Sequence, residues 1–210
     1  MEPGITVSLE PATVAALQAQ GYVLYVLQAF ETTTAQGQAL VWFEWPPSGN
    51  MQASFVVPNQ AYIGMSVASV QLGDIVTLDA DDTLTRTTGG NPRAVTFRNT
   101  TKEPQRAGLA IGSEALTTVS AVPLDGLSED IIEPLNTLLL TFSTAGVQRG
   151  GALSQSMSQS LLYRVSDPPA QVSFDINTGW NFGSAPSFRT IPAGEDFSAV
   201  LAKQRPLVEV

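Results

Sequence analysis

The sequence contains no cysteine and no histidine, and only two of its 210 residues are lysines, Lys102 and Lys203. Without these side chains the chain can form no disulfide, no Ser-His-Asp or Cys-His catalytic site, and no zinc site built from imidazole or thiolate. Charged residues make up 14% of the chain, against about 25% in an average globular protein, so uncharged polar side chains must cover much of the surface. We therefore expect a protein that is not an enzyme and that needs no cofactor.

Basic residues are missing from the first part of the sequence. The first of them is Arg86, so residues 1–85 carry eight acidic and no basic side chains, whereas residues 86–210 carry 11 acids and 10 bases. Binding to a phosphate backbone depends on clustered cations that release its counterions. The distribution of charge therefore predicts no nucleic-acid partner.

Long apolar runs are also absent from the sequence. The longest, residues 22–30, has nine residues and contains Gln28, whereas a helix needs about 20 apolar residues to span a bilayer. Residues 1–4 have neither the basic start nor the apolar core of a secretory signal. These features predict a soluble protein that is cytoplasmic as synthesised, with signal-independent release as the alternative.

Short segments of β-type composition, separated by Gly, Pro and Asn, fill most of the chain. Residues 5–9 alternate apolar and polar side chains, as a half-buried strand does. Residues 125–134 are predicted to be a turn followed by a short acidic helical turn, and helices are predicted over residues 11–20 and 195–203. Further strands are predicted over residues 22–31, 40–45, 51–57, 61–70, 74–78, 84–88, 94–98, 107–111, 117–122, 137–143, 161–165 and 171–176.

This pattern is typical of an all-β fold, and we predict a mainly antiparallel β-sandwich with one or two short helices. The chain, residues 1–210, would form a single sandwich domain. Residues 52–55 (QASF) resemble residues 171–174 (QVSF), and residues 37–40 (GQAL) resemble residues 150–153 (GGAL). These similarities suggest an internal duplication with halves of about 1–100 and 101–210, and chance repetition of turn and strand patterns is the other explanation.

Aromatic and acidic residues that occur together on predicted strands are the candidate ligand-binding positions. Aromatic rings can stack on sugars, and two carboxylates suffice for glycoside hydrolysis without histidine. Such positions suggest a carbohydrate-binding module, with core packing of the rings as the plainer interpretation. The candidates are Trp42, Glu44, Trp45, Tyr62, Asp175 and Trp180.

Asp79, Asp81 and Asp82 form the densest acidic cluster of the sequence. Calcium prefers several oxygen ligands, which carboxylates supply. The cluster is not an EF-hand loop, because neither a glycine nor a closing glutamate follows at the required spacing. The cluster is nevertheless a candidate calcium site, and a solvated acidic turn is the plainer interpretation.

Between Arg149 and Arg164 the sequence carries no charge and alternates serine with glutamine and methionine. An uncharged, hydroxyl-rich strand enters a membrane at a lower free-energy cost than a charged one, and it could instead pair with another copy as an edge strand. An ordinary surface strand or loop is the plainer interpretation. We call this stretch the Ser/Gln segment; it consists of Ser154, Gln155, Ser156, Met157, Ser158, Gln159 and Ser160.

The sequence therefore predicts a non-catalytic β-sandwich protein that binds a partner or assembles with itself. The predicted partner is a second copy of the chain, which would give a homo-oligomer, or the surface of a glycan or a protein. A pore-forming, toxin-like protein that inserts the Ser/Gln segment into a membrane is the alternative, and a carbohydrate-binding module is the second alternative. A carboxylate-based enzyme has no positive motif.

Overall fold

The computed structural model describes residues 4–33, 37–112, 115–165, 169–184 and 186–205. It consists of 53% strand and 7% helix, which confirms the predicted all-β class. The helices are α1 (Pro11–Ala19) and α2 (Phe197–Leu201). The strands are β1 (Gly4–Ser8), β2 (Val23–Thr32), β3 (Gln38–Ala39), β4 (Val41–Trp45), β5 (Asn50–Ser54), β6 (Gln60–Ile63), β7 (Ser66–Ser69), β8 (Asp74–Leu78), β9 (Leu84–Thr88), β10 (Val95–Asn99), β11 (Gln105–Ile111), β12 (Thr117–Thr118), β13 (Ser120–Leu124), β14 (Ser128–Ser143), β15 (Ser160–Arg164), β16 (Ala170–Asp175), β17 (Gly179–Asn181), β18 (Phe188–Ile191) and β19 (Ala202–Gln204).

The chain divides into two compact units. The first consists of Met1–Gln28, Val41–Val56 and Asn136–Phe197, and the second of Ala29–Leu40, Val57–Leu135 and Ser198–Val210. Each unit takes residues from early and late parts of the chain, so the units do not coincide with the halves 1–100 and 101–210. A duplication of those halves stays a prediction.

The first unit contains a four-stranded sheet in the order β17, β16, β1, β5. Strand β1 is parallel to β16 and antiparallel to β5. Successive side chains of a strand point to opposite faces, so the apolar residues Ile5, Val7 and Val172 are buried and the polar residues between them face outwards. The parallel pairing places the ends of β1 and β16 at the same edge of this sheet.

A second layer of the first unit covers the apolar face of that sheet. It includes β15, which pairs with the end of β14 and with β18. Phe142 of β14 packs against Phe174 and Trp180, with ring-centroid distances of 4.6 and 5.7 Å. Tyr163 Oη donates a hydrogen bond to Gly4 O at 3.2 Å. Two sheets whose apolar faces meet form the sandwich arrangement that the alternating sequence predicted.

The second unit also contains strands of two sheets. One has the order β3, β13, β11, β6, β7, with β12 paired to β11. In the other, β8 lies between β9 and β10, and β10 pairs with the beginning of β14. Ile63, Leu109, Val76 and Phe97 are buried and contribute to the core of this unit.

Several predicted elements have different bounds in the structure. Residues 61–70 form two strands, β6 and β7, because Gly64 has φ +59° and begins a two-residue turn. Residues 128–134 are not a helical turn but the start of β14, which pairs with β10 from Asn99↔Ser128 to Val95↔Ile132. The predicted strand over 117–122 is divided into β12 and β13, and the predicted helix over 195–203 is reduced to α2 and followed by β19. No helix in the described parts of the chain is long and apolar enough to cross a membrane.

The Ser/Gln segment is an irregular loop up to Ser160, where β15 begins. The hydroxyls of Ser156 and Ser158 donate to Phe142 O, and the hydroxyl of Ser160 donates to Thr141 Oγ1 at 2.7 Å. Met157 is 85% exposed. A loop agrees with the plainer interpretation of this segment, and Ser156, Ser158 and Ser160 are held by acceptors on β14. Pairing with another copy and membrane insertion stay predictions.

Candidate functional site

The outer face of the four-stranded sheet in the first unit carries rows of uncharged polar side chains. One row crosses all four strands as Asn50, Ser8, Ser173 and Asn181, each directly opposite the next. In the following row, Thr6 of β1 lies opposite a glutamine on either side. Residues directly opposite one another share a face of the sheet, so these side chains form a continuous surface. We call this surface the polar face; it consists of Thr6, Ser8, Asn50, Gln52, Ser54, Gln171, Ser173 and Asn181.

The polar face arises because β5 and β16 carry the same pattern on either side of β1. Gln52 and Gln171 both lie opposite Thr6. The next residue in each strand, Ala53 or Val172, is buried, so the glutamines point outwards. The similarity of residues 52–55 to residues 171–174 thus corresponds to two strands that flank β1 within one unit.

A cleft of about 390 Å³ adjoins the polar face at the ends of these strands. Four residues of the polar face, the row from Asn50 to Asn181, also line the cleft. Glu10, at the start of α1, and Asp175, at the end of β16, add two carboxylates. The volume lies within the range of about 300–1,000 Å³ that is usual for ligand-binding clefts.

The carboxylate of Asp175 is fixed by four hydrogen-bond donors, of which Thr178 Oγ1, at 3.4 Å from Oδ1, is the most distant. The backbone N–H groups of Asn177 and Thr178 donate to Oδ1 at 2.9 and 3.0 Å, and Thr13 Oγ1 donates to Oδ2 at 3.0 Å. These hydrogen bonds, the one from Asn177 first, lower the pKa of Asp175 because they favour the charged form. The cleft therefore contains an anionic acceptor held in one orientation.

The predicted binding residues of β4 divide between the core and the surface. Trp42 is 2% exposed, whereas Glu44 and Trp45 are half-buried. A shift in the register between β4 and β2 occurs at Trp42, and the neighbouring rings of Trp42 and Phe43 lie 4.6 Å apart. Phe43 also stacks on Trp45 at 4.8 Å, and the Arg149 guanidinium lies 5.3 Å from the Phe43 ring centre. The rings of Trp42, Phe43 and Trp45 therefore pack against one another, and Phe43 also contacts the Arg149 guanidinium.

The remaining predicted ligand-binding residues have separate roles. Trp180 is 7% exposed, packs in the core of the first unit and donates from Nε1 to Gln159 O at 3.0 Å. Tyr62 belongs to the second unit, where its Oη donates to Ser120 O at 2.9 Å and burial raises its pKa to about 12. Of the six predicted residues, Asp175 alone lines the cleft beside the polar face.

Asp79, Asp81 and Asp82 belong to the turn between β8 and β9. Asp82 N donates to Asp79 O at 3.1 Å, and Asp79 N donates to Thr83 O at 3.0 Å. In the parts of the chain that the structure describes, no group of three or more acidic residues is placed so that it could hold a metal ion. The geometry therefore adds nothing to the prediction of a calcium site.

The sequence-based reasoning missed the polar face, although its signal is present in the sequence. The outward positions of β1, β5 and β16 are occupied by Ser, Thr, Asn and Gln, and the inward positions by apolar residues. Local alternation shows that each strand has a polar side, but it does not show that the three strands are neighbours. No protein-family model, curated protein or solved structure matches this chain.

Proposed function

We propose that the protein is a non-catalytic binding protein whose ligand is a neutral glycan, held on the polar face and in the adjoining cleft of the first unit. The observation that carries the proposal is the row Asn50, Ser8, Ser173 and Asn181, which continues into the cleft that contains the fixed Asp175 carboxylate. This narrows the predicted binding function to one class of ligand.

The side chains of the polar face match the hydrogen-bonding capacity of a sugar. Each sugar hydroxyl both donates and accepts, and amide and hydroxyl side chains offer both functions as well. Ser8 Oγ donates to Asn50 Oδ1 at 3.0 Å, which orients the Asn50 amide on the surface. A neutral ligand on such a face avoids the free-energy cost of desolvating a charge. Charged partners would gain no ion pair from the polar face itself.

Asp175 gives this surface an anchoring point. A hydrogen bond from a ligand hydroxyl to a carboxylate is stronger than one between neutral groups. The low pKa keeps Asp175 charged at neutral pH, so it can accept from a sugar hydroxyl but cannot serve as the general acid that glycoside hydrolysis needs. Its chemistry favours binding over cleavage.

The experiment is a screen of neutral oligosaccharides on a glycan array, followed by calorimetric titration with the best ligand. The double variant Gln52→Ala/Gln171→Ala removes two amides from the polar face and should weaken binding about tenfold, since each lost hydrogen bond contributes about 0.5–1.5 kcal/mol. Gln155→Ala is the matched control, because Gln155 is exposed but lies in the Ser/Gln segment. The control should bind as the wild type does.

Four results would contradict the proposal. Binding of no neutral glycan would remove its basis, and equal affinities of the double variant and the wild type would place the ligand elsewhere. An oligomer that Gln52→Lys dissociates, in a protein that binds no glycan, would favour self-assembly instead. Hydrolysis of the glycan that Glu10→Gln abolishes would make the protein an enzyme, because Glu10 and Asp175 line the same cleft.

A further inference from the structure

Strand β5 is an edge strand of the four-stranded sheet in the first unit. Strand β1 is the one strand in the described ranges that pairs with β5, so the opposite side of β5 is open. An open edge presents N–H and C=O groups with which a further strand can pair, and natural proteins usually protect it with charged side chains, proline or a bulge. The five residues of β5, Asn50–Ser54, include no charged residue and no proline, and their register with β1 is regular. The edge of β5 therefore lacks this protection.

The backbone groups at the open edge belong to the even-numbered residues of β5. Gly49 O accepts a hydrogen bond from Leu9 N at 2.9 Å, so the residue just before β5 points its carbonyl towards the chain of β1. The backbone groups of successive strand residues point to opposite sides, and those of Gln52 therefore point away from β1. Within the described ranges, the even-numbered backbone groups make one contact on this side, a hydrogen bond of 3.4 Å from Ser48 Oγ to Asn50 O. The N–H and C=O of Gln52 are thus available to another strand.

Other edge strands carry the charged side chains that β5 lacks. Strands β4, β9, β18 and β19 contain one each, Glu44, Arg86, Arg189 and Lys203. The edge strand β7 is uncharged, but Ser69 O accepts a hydrogen bond of 3.4 Å from the Arg86 guanidinium. Strand β5 lies within residues 45–73, which contain no charged residue, in a chain of net charge -9. Two copies of β5 can therefore approach each other without like charges on their own side chains.

We propose that β5 pairs antiparallel with β5 of a second copy of this chain, in a two-fold symmetric dimer with Gln52 at its centre. A two-fold interface uses the same surface of both copies, and this register pairs all five residues of the strand. Gln52 then lies opposite Gln52 of the other copy, and Asn50 lies opposite Ser54. On the inner face the buried Met51 lies opposite the buried Ala53.

This register matches the two faces of the strand. Polar side chains meet polar ones and apolar side chains meet apolar ones, whereas a shift by one residue would place each kind opposite the other. The backbone N–H and C=O of Gln52 gain hydrogen bonds across the interface. The dimer does not depend on glycan binding, because it forms at the edge of the sheet through the backbone.

The test is sedimentation equilibrium of the full chain without a glycan, in which the wild type should form a dimer of twice the chain mass. Gln52→Lys places two like charges opposite each other and should weaken dimerisation about fivefold at low salt, and Gln52→Glu should do the same. Because residue 52 lies opposite itself in the dimer, an equimolar mixture of the two variants should dimerise again. Gln52 is exposed, so neither substitution should change the far-ultraviolet circular dichroism spectrum.

Gln171→Lys is the matched control. Gln171 is exposed and lies opposite Thr6, as Gln52 does, but it belongs to β16, which has a strand on either side. The control should therefore dimerise as the wild type does. A monomeric wild type, equal dimerisation of Gln52→Lys and the wild type, a mixture that dimerises no better than its components, or dissociation by Gln171→Lys would each overturn the proposal.

Discussion

Thr13 Oγ1 donates a hydrogen bond of 3.0 Å to Asp175 Oδ2, across 162 positions of the sequence. Thr13 is 2% exposed and belongs to α1, whereas Asp175 ends β16. The side chain of Glu10, the N-cap residue of α1, makes no capping hydrogen bond, so the helix is held by contacts such as this one. The buried threonine thereby sets the orientation of the carboxylate that our proposal places at the glycan.

Thr13→Val keeps a similar side-chain volume but removes the hydroxyl donor. We expect the pKa of Asp175 to rise towards its ordinary value of 3.8, because the charged form loses a hydrogen bond. Since the pKa is depressed in the folded state, the stabilisation by this bond is present above 3.8 and is lost as the pH falls through the folded pKa. An NMR titration of the Asp175 carboxyl carbon measures the shift, and an unchanged titration would contradict the assigned hydrogen bond.

Anionic glycans should bind more weakly than their neutral parents. Glu10 and Asp175 both line the cleft, so a uronic acid or sulfate group on the ligand meets like charge. We expect affinities lower by about tenfold at low salt. Added salt should reduce the difference because it screens the repulsion. Titrations of matched neutral and sulfated oligosaccharides measure the effect, and tighter binding of the sulfated ligand would be inconsistent with it.

Gly108→Ala should destabilise the second unit. A Cβ at Gly108 would overlap the backbone oxygen of Ser120 and lie 2.7 Å from Tyr62 Oη, in the place that the hydrogen-bonded tyrosine occupies. We expect a loss of about 1–3 kcal/mol in the free energy of unfolding, as for other overpacked sites. Denaturant titration measures it. Gly49→Ala is the control, since its Cβ would meet nothing within 4 Å; a loss of equal size in both variants would show that the effect is not steric.

Asp130 is completely buried and accepts hydrogen bonds from the segment at the end of β2. Thr32 Oγ1 donates to its Oδ2 at 2.7 Å, while Thr33 N and Thr33 Oγ1 donate to Oδ1. Asp130→Asn replaces one acceptor by an N–H₂ donor that faces another donor, so we expect a loss of about 2–3 kcal/mol in unfolding free energy. The exposed Asp125→Asn is the matched control. Urea unfolding measures the loss of stability in both variants. A loss of equal size in the two variants would show that the effect comes from the charge and not from the hydrogen-bond acceptor.

The Ser/Gln segment should tolerate change at Met157 but not at Ser156. Met157→Asp leaves the fold intact because the side chain is 85% exposed, whereas Ser156→Ala removes a buried hydrogen bond to Phe142 O and should cost about 1 kcal/mol. For a glycan-binding protein we expect no dye release from liposomes. Release by the wild type that Met157→Asp abolishes would support the pore-forming alternative instead.

Much of the fold could be predicted from local patterns. Three elements form where local patterns predict them: β1, β2 and α1. The patterns are the alternation in residues 5–9, the apolar run over residues 22–31, and the placement of Pro11 and Gly21 at the two ends of α1. Each of these patterns involves only residues that are neighbours in the sequence. Ser128–Ile132 was misassigned because its acidic residues resemble a helix start, whereas its pairing with β10 makes it a strand. That pairing involves residues about 30 positions away, which no local pattern contains.

The candidate site could be predicted from the sequence to a smaller extent than the fold, because its residues are brought together only by tertiary structure. The sequence predicted Asp175 as a binding residue because a tryptophan, Trp180, lies nearby. In the structure, Asp175 lines the cleft for a different reason, its position at the end of β16. Trp180 packs inwards on Phe142, and Trp42 is buried at the register shift in β4. Aromatic residues next to strands have the same sequence pattern whether they lie in the core or on the surface.

The sequence by itself determined the all-β class and the uncharged polar side of β1, β5 and β16. It also excluded catalytic and metal sites that are built from histidine or cysteine. These properties follow from composition and from the two-residue period of a strand, which are local. Only the tertiary structure decided that β1 lies between β5 and β16 and that Thr13 reaches Asp175. Pairing of strands joins residues about 160 positions apart, and the choice among such partners depends on how the whole core packs.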